Sequence, residues 1–133
     1  MSEPFATNAV IIDLWELTQF ADTPLPIAVA NTGDMTFGLL TMRAGQRLTA
    51  MHSASQVLLQ CLRGLAYLQI NQKLQLLKMG KVALIEGGQL HDYIAKTDSV
   101  LLFTCAPALR TDEPLGAYLL QNTPIIQRQS SET

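Results

Sequence analysis

The chain has 133 residues, a length typical of one domain that buries its own core. Its net charge of −2 predicts no nucleic-acid or anionic-membrane partner, because such partners require a basic patch. No apolar run approaches the roughly 20 residues that span a bilayer, and the start, MSEPFATNAV, lacks the basic and apolar regions of a signal peptide. The sequence therefore predicts a cytoplasmic protein.

Charged residues are scarce, at 15% of the chain against 48% hydrophobic residues. Typical soluble domains carry about 25% charged residues, and a small domain has proportionally more surface to cover. We therefore expect a two-fold symmetric homodimer, with the N-terminal run Ala9–Leu14 contributing to the contact. Cys61 and Cys105 each lie within an apolar run, which predicts buried free thiols.

Short apolar runs alternate with turns along most of the chain. They predict strands at Ala9–Leu14, Ile27–Ala30, Met35–Met42, Gln46–Ser53, Val57–Leu62, Leu65–Ile70, Leu74–Leu77, Val82–Ile85, His91–Ile94 and Val100–Cys105. Strands at intervals of about 8–12 residues, with almost no helical period, indicate an all-β sandwich or barrel with little helix.

Three segments need a separate interpretation. Trp15–Phe20 is compatible with one helical turn or with an irregular crossing segment. Asp22–Pro26 contains two prolines, which fix φ and remove backbone donors, so we expect no regular structure there. Val57–Leu62 is nearly all apolar, and this predicts a strand covered on both faces.

The C-terminal part of the chain predicts little packed structure. Pro107–Gly116 contains breakers and charges and predicts a loop, while Ala117–Gln121 fits a short helix or an edge strand. Residues 127–133 are polar and predict a disordered tail. The sequence thus predicts a single domain over 1–133 with its core at about 27–106.

Glycines frame two blocks in the middle of the chain. The first block runs from Gly45 to Gly64, and the second begins at Gly80, contains Gly88 and ends on His91. This frame resembles the cupin superfamily. In its first motif, His-x-His follows a glycine after five residues, and a Glu and a closing glycine come later. Its second motif begins with a glycine, contains a further glycine and ends with a His and an Asn. The resemblance covers residues 35–106 and implies a cupin-type β-barrel, that is, a jelly roll or double-stranded β-helix.

The resemblance also implies that most metal ligands of the family are missing here. The strict frame places Met51, Ser53 and Val57 where cupins carry first-motif ligands, and it retains only His91. A divalent transition metal usually needs three or more good N, O or S ligands, so this frame predicts no cofactor. It predicts instead an apolar ligand pocket lined by Met51, Ser53, Val57, His91 and Tyr93.

A second frame keeps one more histidine. In the strict frame His52 falls between two ligand positions, and strand alternation sends it to the opposite face. A shift of one residue brings His52 and Gln56 to ligand positions, which together with His91 offers two imidazoles and an amide to a divalent transition metal. This shift breaks the spacing to both glycines unless β-bulges absorb it.

These frames lead to different functions. The strict frame favours a non-enzymatic module that binds a small molecule or serves a structural role. The shifted frame implies a metal-dependent cupin enzyme, a dioxygenase or isomerase, that uses His52, Gln56 and His91. A metal-free acid–base enzyme would use His91, but the sequence offers it no second catalytic group. We favour the non-enzymatic module, because a fold alone does not confer chemistry.

Overall fold

The computed structural model of the protein describes residues 9–128. These residues form ten strands and two short helices, so the prediction of an all-β chain with little helix is confirmed. No helix in this range is both long and apolar enough to cross a membrane. In chain order the elements are α1 (Leu14–Leu17), β1 (Leu25–Asn31), β2 (Thr36–Met42), β3 (Arg47–Met51), β4 (Gln56–Arg63), β5 (Leu65–Ile70), β6 (Lys73–Lys78), β7 (Val82–Ile85), β8 (His91–Ala95), β9 (Ser99–Ala106), α2 (Pro114–Leu119) and β10 (Ile126–Gln127).

The strands form two sheets that share one core. The larger sheet has the order β10-β1-β2-β9-β4-β7, and the smaller has the order β3-β8-β5-β6. Because β8 lies between β3 and β5, the end of the second glycine block sits beside the start of the first. The main core includes Leu40, Leu59 and Phe103 from the larger sheet with Leu68 and Tyr93 from the smaller.

The N-terminal run Ala9–Leu14 is not a strand, contrary to the sequence prediction. Residues 9–13 have no regular structure, and α1 begins at Leu14 after Asp13 accepts a hydrogen bond from the Trp15 N–H at 3.0 Å. Ile12 and Leu14 of this run pack across a sheet instead of pairing along its edge, whereas Val10 and Ile11 are exposed. Of the two readings of Trp15–Phe20, the single helical turn is correct for its first residues.

The proline-rich segment Asp22–Pro26 enters the sheet earlier than predicted. Strand β1 begins at Leu25, and Pro26 pairs with Leu40 of β2. Among residues 9–128, β1 pairs at this point with β2 alone, because its pairing with β10 is confined to Ala30 and Asn31. A missing backbone donor is tolerated in a strand whose other side is open.

Strand β4 is covered on one face and not on both, so that prediction is also wrong. Val57, Leu59 and Cys61 are buried, whereas Leu58 between them is 38% exposed. The buried side chains face the main core. The other face of β4 lies on the outside of the larger sheet, where an apolar residue gains no cover from the smaller sheet.

The domain core extends beyond the predicted limit of residue 106. Leu109, Leu115 and Leu119 are at most 5% exposed and belong to the main core. The predicted tail 127–133 also begins inside a strand, because Gln127 of β10 pairs with Asn31. The Arg128 N–H then donates to the Asn31 carbonyl at 2.8 Å. Residues 129–133 of that predicted tail lie outside the described residues.

Gly45 and Gly64, the two glycines that frame the first block, allow a matched test of how tightly the chain packs at Gly64. Both have positive φ, +88° at Gly45 and +84° at Gly64. A Cβ on Gly64 would lie 2.1 Å from the Asp98 carbonyl oxygen, whereas a Cβ on Gly45 would meet nothing within 4 Å. Gly45→Ala should lower the free energy of unfolding by about 1–2 kcal/mol, the cost of an L-residue in left-handed backbone. Gly64→Ala should lose about 1–3 kcal/mol more, because the backbone must move.

Urea denaturation of the two variants and the wild type measures this difference. Equal losses at the two positions would contradict the close approach of Gly64 to Asp98.

Candidate functional site

The candidate site is built where β3 pairs with β8. Met51 lies directly opposite His91, and Leu48 lies opposite Tyr93. Two residues of β3 therefore face one residue of β8, and this bulge contains Ala50 with φ of 60°. The Asp92 carboxylate supports the bulge by accepting a hydrogen bond from the Ala50 N–H at 2.8 Å. Because opposed residues share a face, Met51 points to the same side as His91.

Both ring nitrogens of His91 have partners within the chain. Nδ1 lies 2.9 Å from the Gln89 carbonyl oxygen, and Nε2 lies 2.5 Å from the Tyr93 hydroxyl. A carbonyl can only accept, so Nδ1 carries the proton and donates it. Nε2 then has a lone pair that accepts the hydrogen bond from Tyr93. This pattern describes a neutral imidazole whose hydrogen-bonding capacity is fully used.

Aromatic contacts hold this pair in the core. The rings of His91 and Tyr93 meet edge to face with centroids 4.9 Å apart, and Tyr93 meets Phe103 in the same way at 5.4 Å. Tyr93 is 1% exposed and His91 is 2% exposed. The hydrogen bond between them is therefore shielded from water. In this buried environment a polar group that loses its partner is costly, because water cannot replace the partner.

The titratable groups of the site favour their neutral forms. Burial lowers the pKa of His91, the Gln89 carbonyl and the Asp92 carboxylate partly oppose this shift, and the charge of His52 adds to the lowering. Burial and the neighbouring Cys105 raise the pKa of Tyr93 well above its usual value. Burial raises the pKa of Cys105 to about 12. At neutral pH the side chains of His91, Tyr93 and Cys105 are therefore uncharged.

The five residues of the predicted pocket are all buried or half-buried. Met51 packs against the main core that contains Val57 and Tyr93. Ser53 is 4% exposed, and its carbonyl accepts a hydrogen bond from the Gly88 N–H at 2.7 Å. This bond joins the first glycine block to the second. Their assignment as ligand-binding residues stays a prediction.

The residues of the shifted frame are not brought together. His52 is half-buried just beyond the end of β3. Gln56 lies on the exposed side of β4, where its amide donates to the Glu86 carboxylate at 3.1 Å. The residues 9–128 contain no group of three or more His, Cys, Asp or Glu side chains placed to hold a metal ion.

The donor set around His91 does not fit a transition metal. The lone pair of Nε2 is occupied by the Tyr93 hydroxyl, and Met51 opposite His91 offers a thioether. Gln56 binds Glu86 on the other face of its strand. Three good N, O or S donors are therefore not directed at one point, as a metal site requires.

Helix α2 closes this end of the molecule. The sequence predicted a loop for its first three residues and a short helix or an edge strand for the rest. The Leu115 N–H donates to the His52 carbonyl at 3.1 Å, and the Glu113 carboxylate accepts from the Ala54 N–H at 2.6 Å. Leu115 and Leu119 enter the main core. Pro114 at the start and two leucines four residues apart are the signals that predict such a helix.

An open depression lies at the surface beside the site. Its volume is 250 Å³, and polar side chains predominate among its lining residues, which are Gln69, Asn71, Gln72, Leu90, His91 and Asp92. Asn71 and Gln72 have positive φ and form the tight turn between β5 and β6. The sequence predicts the strands on either side of this turn but not the nearness of the turn to His91.

Solved structures share this fold. A conserved uncharacterised protein with a double-stranded β-helix domain from Klebsiella pneumoniae is 22% identical, with a TM-score of 0.69 over 75% of this chain and 91% of its own. An RmlC-like cupin from Desulfovibrio desulfuricans is 20% identical, with a TM-score of 0.62 over 82% of this chain and 99% of its own. Salicylate 1,2-dioxygenase from Pseudoaminobacter salicylatoxidans is 15% identical, with a TM-score of 0.53 over 56% of this chain and 21% of its own.

These similarities establish the cupin fold, the double-stranded β-helix, for this chain. No family model matches the sequence. No curated protein matches it either. At identities below 25% the likeness is one of fold, and the chemistry must be argued from the side chains.

Removing the Tyr93 hydroxyl tests the hydrogen bond to His91. Tyr93→Phe should lower the free energy of unfolding by about 1–3 kcal/mol, because the buried Nε2 is left without a partner. Tyr67→Phe is the matched control, since its hydroxyl makes no hydrogen bond within residues 9–128, and it should change stability by less than about 0.5 kcal/mol. Thermal and urea denaturation measure both, and equal effects of the two substitutions would contradict the bond.

The buried neutral His91 also predicts a pH dependence of stability. Its pKa is lower in the folded protein than the 6.5 expected on unfolding, so the unfolded chain takes up the proton more readily. The stabilisation is complete above pH 6.5 and is lost as the pH falls through the lower pKa of the folded protein. The free energy of unfolding should fall more steeply between pH 7 and pH 5 in the wild type than in His91→Gln, by at most about 1.4 kcal/mol per pH unit. Parallel curves for the two proteins would be inconsistent with this role.

Proposed function

We propose that this cupin-fold chain is a metal-free module that binds a small molecule or serves a structural role, and that it is not an enzyme. The observation that carries this proposal is that both ring nitrogens of His91 are satisfied by groups of the same chain. A histidine in this state is available neither as a metal ligand nor as a proton carrier.

The free-energy cost of replacing the Tyr93 hydroxyl by a metal ion at His91 supports the proposal. A metal at Nε2 must displace the Tyr93 hydroxyl, which is buried and would lose its partner. An unsatisfied buried hydroxyl costs about 1–3 kcal/mol. The remaining ligands would have to repay this cost, but Met51 is a weak donor and Gln56 is turned away.

The position of α2 favours the surface depression over the interior as a ligand site. Leu115 and Leu119 occupy the core beside the predicted pocket residues, so a ligand would enter there only if the helix moved. The depression is already open and is lined by the side-chain amides of Gln69, Asn71 and Gln72. At 250 Å³ it lies just below the usual range of about 300–1,000 Å³ for ligand pockets, which suits a small molecule.

The metal-dependent enzyme is the alternative function, and one observation favours it. His52 lies near enough to His91 for its charge to lower the pKa of that ring. A metal site on these two imidazoles would also require Gln56 to leave Glu86 and turn inward. The dioxygenase activity of the structural relative described above belongs to that protein and enters here as an analogy of fold.

Metal loading separates the two functions. Protein purified without a polyhistidine tag should contain far less than one equivalent of zinc, nickel, manganese or iron. Addition of each metal should hardly change the melting temperature, because stabilisation requires tight binding to the folded state. Elemental analysis and thermal denaturation measure these two results.

The histidine variants complete this experiment. His52→Ala and His91→Ala should both leave the small metal content unchanged. A stoichiometric metal that is lost in either variant would establish the alternative and overturn the metal-free module.

A further inference from the structure

Strands β6 and β7 follow each other in the chain but belong to different sheets. Strand β6 is the last strand of the smaller sheet, and β7 is the last strand of the larger sheet. A tight turn joins them, in which the Lys81 N–H donates to the Lys78 carbonyl at 2.9 Å and Gly80 has a φ of +85°. Because β6 pairs with β5 and β7 pairs with β4, the two strands separate after this turn. We call the space between them the β6–β7 crevice.

The floor of the β6–β7 crevice is the main core of the domain. Leu68 and Leu77 line the crevice, belong to the main core, and are 3% and 5% exposed. Ala83 lines it from β7 and packs against the same core. The crevice has a volume of 210 Å³. It is therefore a place where a molecule from solvent could contact core side chains without the displacement of a helix.

Lys81 supplies the one charge among the described residues that line the crevice. Side chains alternate along β7, so Lys81 lies on the same side of the strand as Ala83, which is opposite the core residue Leu59. Lys81 forms no ion pair within residues 9–128. A cation without a counter-ion thus lies at the closed end of the crevice, beside the turn.

The sequence around the crevice is uniformly basic. Residues 35–85 contain six Lys or Arg residues and no Asp or Glu, although the whole chain has a net charge of −2. The first acid after this stretch, Glu86, accepts a hydrogen bond from the Gln56 amide at 3.1 Å on the outside of the larger sheet. An anion in the crevice would therefore meet no carboxylate on β5, β6 or β7.

We propose that the β6–β7 crevice binds a small monocarboxylate with a compact apolar body. The carboxylate pairs with the Lys81 ammonium, and the apolar body lies against Leu68, Leu77 and Ala83. A cavity of about 150 Å³ lined by apolar side chains accepts benzene, so 210 Å³ has room for one six-membered ring that carries a carboxylate. Both parts of the ligand are required, because an ion pair at an exposed lysine contributes little alone.

This site is separate from the surface depression beside His91. The lining residues of the crevice and of the depression have no member in common. The proposal therefore goes beyond the function proposed above and does not rest on it.

A set of three probes tests the chemistry of the ligand. Cyclohexanecarboxylate added to the ¹⁵N-labelled full chain should cause saturable shifts in the amide resonances of residues 75–77 and 81–83, with a dissociation constant on the order of 1 mM. Cyclohexanecarboxamide keeps the ring without the charge, and acetate keeps the charge without the ring. Each of these two should bind at least about 5-fold more weakly.

Substitutions test where the ligand lies. Lys81→Met should raise the dissociation constant of cyclohexanecarboxylate at least about 5-fold and leave that of the carboxamide unchanged. Lys73→Met is the matched control, because Lys73 is an exposed lysine of β6 outside the lining of the crevice, and it should change the affinity less than about 2-fold. Ala83→Leu should fill the crevice and abolish the binding of both ring compounds.

Each outcome of these titrations decides the proposal. It is overturned by a lack of saturation in the millimolar range, by a carboxamide that binds as tightly as the carboxylate, or by equal effects of the two lysine variants. Shifts centred on Gln69, Asn71 and Asp92 would place the ligand in the depression and overturn it as well. If Ala83→Leu fails to fold, the probes and the lysine variants decide.

Failure of this proposal is distinguishable from failure of the metal-free module. The lysine substitutions touch neither His91 nor Tyr93, and metal content is not measured in these titrations.

Discussion

The candidate site depends on the hydrogen bonds that hold the His91 ring in its neutral form. Gln89 supplies an acceptor for Nδ1 and Tyr93 supplies a donor for Nε2, so no polar atom of the ring is left for an external group. In a metal site the same nitrogen would bind the ion, and a second group would orient the ring. Here the Tyr93 hydroxyl, two residues away on the same face of β8, occupies the nitrogen that an ion would bind.

The packing around His91 and Tyr93 follows from the neutral state of these two side chains. Once the ring system is uncharged, Phe103 can lie against Tyr93 and leucines of α2 can enter the same core. A charged metal centre would need polar neighbours or water at these positions. The apolar character of Met51 and Val57 is consistent with this environment, since neither side chain competes for a hydrogen bond. The residues that the family resemblance marks as missing ligands are therefore the ones that a neutral core requires.

Much of the fold could be predicted because it depends on local signals. The glycines at positions 45, 64, 80 and 88 all have positive φ, and their spacing alone places the turns of both blocks. Counting residues from these glycines also gives the alternation of side chains along β4. It correctly places Val57 on the inner face and Gln56 on the outer face. The places in the fold of the N-terminal segment and α2 could not be predicted, because their apolar side chains pack onto surfaces formed by distant strands. The Tyr93 hydrogen bond was missed because it depends on side-chain rotamers that no spacing reveals.

The attachment of α2 to the first glycine block couples two parts of the chain. Glu113 holds the Ala54 N–H and Leu115 holds the His52 carbonyl, while the Ser55 hydroxyl donates to the Pro107 carbonyl at 2.6 Å. A molecule that entered the core beneath the helix would therefore first have to break the hydrogen bonds that the helix makes with the backbone of His52 and Ala54.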